Sequence, residues 1–107
     1  MKVEVLYVAE CPFHPEAVKL VRDALAAEGV AAEIHDVLVR DERTAKELRF
    51  LGSPTIRTNG RDVDGEPQRS DSFALSCRLY SGSEHVGLPP VEMIRHALAE
   101  ARRGGRP

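Results

Sequence analysis

Val3-Glu4-Val5-Leu6-Tyr7-Val8-Ala9-Glu10-Cys11-Pro12-Phe13-His14 is the stretch on which the fold turns. Val3 to Val8 is rich in β-branched and aromatic residues and almost continuously apolar, the pattern of a strand covered on both faces. Glu10 to Pro15 contains two prolines and reads as a turn. From Glu16 to Glu28 the apolar spacing becomes helical. Val18, Val21 and Leu25 fall at i, i+3 and i+7, and Leu20, Ala24 and Ala27 widen the stripe. Gly29 follows as the residue suited to end a helix in a left-handed conformation. A buried strand thus delivers a cysteine-bearing turn directly into a helix.

Downstream, Ala32 to Val39 reads as a second strand, with Ile34, Val37, Leu38 and Val39 as its apolar content. Asp41 to Leu51 reads as a short helix, with Asp41 as N-cap, Ala45, Leu48 and Leu51 packing, and Gly52 closing it. Thr55 to Thr58, Asn59-Gly60 and Arg61 to Val63 form a hairpin, because Asn-Gly supplies the two positive φ values of a tight turn. Asp64 to Ser72 is a polar surface loop, and Phe73 to Tyr80 alternates like a strand. Pro89-Pro90 introduces a final helix, Val91 to Arg102, whose stripe is Val91, Ile94, Leu98 and Ala101. The order is β-α-β-α-β-β-α. A right-handed crossover makes the first two strands parallel, and the last pair is antiparallel. The expected class is α/β, a small mixed sheet with helices on both faces.

Composition narrows the possible functions. A length of 107 residues predicts a single domain over 1–107, with 102–107 as a frayed tail. Two cysteines are too few for a disulfide scaffold. With 15 Lys+Arg against 17 Asp+Glu, the net charge of -2 argues against nucleic acid as a partner. No apolar run approaches the roughly 20 residues that span a bilayer, and a charge interrupts the first apolar stretch where a signal peptide would be unbroken. The expectation is a soluble cytoplasmic protein with reduced thiols.

The chemistry then centres on the cysteines. Cys11 falls at a predicted helix start, where the dipole and free N–H groups favour a thiolate, the reactive form. Pro12 is expected at the first helical position. A protonated His14 would add to the stabilisation, and Glu10 would oppose it. The plainer reading makes Cys11 a small apolar residue at a strand end. Cys77 shares a strand face with Phe73, Leu75 and Leu79, so it is either a core residue or a partner of Cys11. Pairing requires Cα atoms within about 7 Å. A zinc set of Cys11, His14, Cys77 and His85 can be written, but only Cys-x-x-His has ligand spacing. Arg57, Arg61 and Arg78 offer charge for a carboxylate such as that of glutathione.

The element order, with Cys11-Pro12-Phe13-His14 after the first strand, resembles the thioredoxin superfamily, and small glutaredoxin-like members above all. Gly52-Ser53-Pro54-Thr55-Ile56 carries the second likeness, since in that superfamily a Pro-Thr pair begins the third strand with its proline in cis. The resemblance spans nearly the whole chain. It implies a four-stranded sheet, Cys11 as nucleophile, and a substrate groove lined by Pro12, Phe13, Ser53, Pro54 and Thr55. The partners would be protein or small-molecule thiols and disulfides. No bound cofactor is implied, and glutathione would be a co-substrate. The departure lies at His14, which replaces the second cysteine of Cys-x-x-Cys. Three readings follow: monothiol exchange through Cys11 and His14, pairing of Cys11 with Cys77, or a redox-inactive interaction module. A looser resemblance, to the thioredoxin-like region of alkylmercury lyase, rests on two distant cysteines and the segment Ser76-Cys77-Arg78-Leu79-Tyr80. It implies soft-metal or organomercurial chemistry at Cys11 and Cys77, with His14 as proton donor.

Overall fold

A computed structural model describes residues 1–9, 11–50, 52–64 and 88–104. The strand expected over 73–80, most of the polar loop before it, Cys77 and His85 lie outside the described residues. The described elements run β1 (Lys2–Tyr7), α1 (His14–Glu28), β2 (Glu33–Leu38), α2 (Glu42–Leu48), β3 (Thr55–Thr58), β4 (Arg61–Asp62) and α3 (Val91–Gly104). The strands form one mixed sheet in the order β2-β1-β3-β4. β1 pairs parallel with β2, from Lys2 opposite Glu33 to Tyr7 opposite Leu38. It pairs antiparallel with β3, Val5 facing Ile56. β1 is therefore an inner strand, as its continuous apolar run requires.

Period-two alternation splits β1 between two cores. Val3 and Val5 join Ile56, Val21, Ile94 and Leu98 under α1 and α3. Leu6 turns to the other face and packs with Val39, Ala45 and Phe50 under α2. The helices thus cover both faces, as expected for the α/β class. α3 is fastened to the C-terminal end of α1. The Arg95 Nε donates to Glu28 Oε2 at 2.7 Å, and the Arg102 Nη1 donates to the Glu28 carbonyl at 3.0 Å.

The local signals hold at three places. Asn59 and Gly60 take φ of 50° and 85° and turn β3 into β4. Gly29 ends α1 at φ 65°, its N–H reaching the Ala26 carbonyl. Asp41 caps α2, its Oδ1 accepting the Thr44 N–H at 2.8 Å.

Three helix boundaries are corrected. α3 runs to Gly104, past Arg102, where the tail was expected to begin. α1 begins at His14 rather than Glu16, with Phe13 as N-cap. The proline in its first turn is Pro15, not Pro12, which lies in the turn before the helix. Ring closure at Pro15 suits a position whose N–H has no intrahelical acceptor. α2 ends at Leu48, not Leu51. Arg49 adopts φ 54° and sends the Phe50 N–H back to the Ala45 carbonyl at 2.8 Å. This early stop swings the Phe50 ring, fully buried, into the Leu6 core. Burial of a large aromatic outweighs the backbone penalty of a left-handed arginine.

Candidate functional site

The C-terminal end of β1 gathers the two segments that the sequence marks. The Cys11 N–H donates to the Val8 carbonyl at 3.2 Å, closing the turn that leaves the strand. On the same residue, the Val8 N–H donates to the Ser53 Oγ at 3.1 Å. Val8 therefore joins the cysteine turn to the loop preceding β3. The Ser53–Pro54 peptide in that loop is cis, the isomer expected at this proline. Gly52, at φ 127°, starts the loop, and its carbonyl accepts the Thr55 Oγ1–H at 2.6 Å.

Cys11 is a free thiol of intermediate burial. It sits three residues ahead of α1, linked by the His14 N–H, which donates to the Cys11 carbonyl at 3.4 Å. The thiol thus belongs to a turn beside the helix start, not to the helix itself. Pro12 is exposed, and Phe13 is half-buried. Ser53, Pro54 and Thr55 are buried. The hydroxyls of Ser53 and Thr55 are committed to Val8 and Gly52, so these side chains build the loop beneath the turn.

His14 occupies a defined place. Its imidazole stacks on Tyr7, with ring centroids 3.8 Å apart and planes 13° from parallel. Its Nε2 lies 3.2 Å from Asp36 Oδ1. The alternation of β1 and β2 explains this meeting. Tyr7 follows Val3 and Val5 onto the α1 face, and Asp36 follows Ile34 there. The helix start then lowers His14 between them. Sequence reasoning placed His14 beside Cys11 and missed both partners. The carboxylate inside Ile34 to Val39, a run apolar except for His35 and Asp36, was the available signal.

Three other features bear on the site. The Arg57 Nη2 donates to the carbonyls of Leu48 and Arg49, at 2.7 and 3.1 Å, and so stabilises the C-terminal end of α2. It serves the fold where the sequence suggested an anion contact. Among the described residues, no three His, Cys, Asp or Glu side chains gather as a metal site. A shallow groove of about 610 Å³ lies at the opposite end of β1, lined by Met1, Lys2, Ala31, Ala32, Glu33 and Asn59. It touches none of the residues of the Cys11 turn or the Ser53-Pro54 loop. Among the described residues, no helix is long and apolar enough to cross a membrane. Compared with family models, curated proteins and solved structures, the chain matches none.

Proposed function

We propose that the chain is a thioredoxin-like thiol protein that carries out monothiol exchange through Cys11. The observation that carries this reading is the double hydrogen bond at Val8. It brings a free, partly exposed thiol and the Ser53-Pro54 loop to one end of β1, although they are far apart in sequence. The β-α-β-α-β-β-α order of the described elements supports it.

In the proposed cycle, the Cys11 thiolate attacks one sulfur of a substrate disulfide. A Cys11–substrate S–S bond forms, the substrate S–S bond breaks, and the second substrate sulfur departs as a thiolate. A second thiol, from glutathione or from Cys77, then attacks the mixed disulfide. It releases the first substrate sulfur as a thiol or Cys11 as a thiolate. Each step conserves electrons, since one disulfide is broken for each one formed. Reduced cytoplasmic glutathione is the reservoir suited to such a cycle.

The experiment is incubation of the whole chain with oxidised glutathione, followed by mass spectrometry of the Cys11 peptide. Glutathionylation of Cys11 that Cys11→Ser abolishes, together with catalysed exchange of a model mixed disulfide, is the expected result. Exchange at the rate of an unstructured cysteine peptide overturns the reading.

A further inference from the structure

In the order β2-β1-β3-β4, β2 is an edge strand. Its ladder with β1 decides which backbone groups face outward. The Glu33 N–H donates to the Met1 carbonyl at 3.1 Å, and the Val39 N–H donates to the Tyr7 carbonyl at 2.8 Å. Alternation along a parallel strand then turns the N–H and C=O groups of Ile34 and Asp36 away from β1. Among the described residues, no strand meets these outward groups. Such an edge is a template for one more strand, and charge is the usual guard against it. On β2 the charges are ordered. Glu33 and His35 share one face, with Oε1 and Nε2 3.1 Å apart and side chains 80% and 48% exposed. Ile34 lies on the other face and packs against the core under α1.

We propose that β2 pairs antiparallel with β2 of a second copy of this chain, centred on Ile34, so that two sheets become one. A two-fold axis normal to the sheet keeps each face continuous, and the charge pattern then selects the register. Centred on Ile34, the pairing sets Glu33 opposite the partner's His35 and His35 opposite the partner's Glu33. No ladder bonds join these positions, so their side chains approach most closely. Ile34 meets the partner's Ile34 on the other face and extends the apolar interior. Ala32, just ahead of β2, exchanges the flanking backbone bonds with the partner's Asp36. The neighbouring registers are worse. Centred on His35, the pairing sets Ile34 against a carboxylate. Centred on Asp36, it opposes two carboxylates, which is destabilising. Centred on Val37, it leaves Glu33 and His35 without opposite charges. Ala31 and Ala32 line the shallow groove of about 610 Å³ beside Glu33, and their small side chains leave room for the partner's Val37 and Leu38. The interface is one strand wide, below the area of a standard interface, so the dimer is weak.

The test is sedimentation velocity of the whole chain across a concentration series, under reduction so that no intermolecular disulfide contributes. The native chain is expected to pass from monomer to dimer as concentration rises. Glu33→Lys and His35→Glu each remove both opposite-charge pairs and weaken association about tenfold. The double variant Glu33→Lys/His35→Glu exchanges the signs and restores it. Hydrogen exchange locates the contact. The Ile34 and Asp36 amides slow in the dimer, whereas the inward amides of His35 and Val37 are protected at every concentration and report that each variant is folded. A native chain that stays monomeric, a dimer whose Ile34 and Asp36 amides stay fast, or a double variant no stronger than the single ones overturns the proposal.

Discussion

Val8 and Ser53 are separated by 45 positions in the chain, yet the Val8 amide donates to the Ser53 hydroxyl at 3.1 Å. The contact seals the last turn of the central strand against the loop that starts β3. It also links the cysteine turn to the loop that carries Pro54, because the Val8 carbonyl holds that turn.

Ser53→Ala removes the acceptor and leaves a partly buried N–H without a partner. Stability should fall by about 1–3 kcal/mol, measured by urea unfolding. Hydrogen exchange at the Val8 amide should accelerate in parallel. Ser53→Thr, which keeps the hydroxyl, should lose less, and an unchanged Val8 exchange rate in Ser53→Ala would remove the bond from the account.

Asp41 gives the fold a defined pH response. Its carboxyl is held below the ordinary value of 3.8, first by the Thr44 backbone N–H, then by the Thr44 side chain and the nearby Arg43. A carboxyl depressed in the folded state adds stability above its unfolded pKa and loses it as pH falls through the folded value. Asp41→Ala should therefore be less stable than the native chain at neutral pH, and the gap should shrink as pH drops below about 4. Thermal melts across that range measure it. Asp41→Asn keeps the cap and should lose the pH dependence, since its side chain does not ionise.

Phe50 is fully buried against Leu6, Val39 and Ala45. Phe50→Ala should destabilise by about 3–5 kcal/mol in denaturant unfolding. Phe50→Leu, which fills much of the same volume, should lose clearly less. Equal losses would place the effect in the α2 backbone and not in the core.

Gly29 isolates a backbone effect. It sits at φ 65°, and a Cβ built there meets nothing within 4 Å. Gly29→Ala should cost about 1–2 kcal/mol from the left-handed conformation alone. Gly29→Asn should cost less, because asparagine tolerates that region. If the two variants are equally stable, conformation is not what the glycine supplies.

Much of this was readable from the residues, for identifiable reasons. Asn59-Gly60, Gly29 and Asp41 each carry chemistry that one local conformation demands, and the structure uses all three. The apolar run Val3 to Val8 announced an inner strand because both of its faces must be covered. The end of α2 was hidden because Leu48, Leu51 and Gly52 imitate a helix that continues to a glycine cap. Only tertiary burial of Phe50 shows that Arg49 makes the turn instead. Pro12 and Pro15 were equivalent by propensity, and the length of the turn after β1 chose between them. Asp36 escaped notice because its partner is contributed by another element. Pairing between a helix start and a neighbouring strand has no signature in the spacing of either.

The dependence of the first core on α3 bears on how the chain is made. Ile94 and Leu98 fill the same apolar interior as Val3, Val5 and Ile56, which are synthesised much earlier. A growing polypeptide on the ribosome therefore holds its first strand without its final cover until Leu98 has cleared the exit tunnel. Through most of synthesis Val3, Val5 and Ile56 belong to an incompletely closed interior, and protection of that nascent segment falls to whatever meets it outside the ribosome.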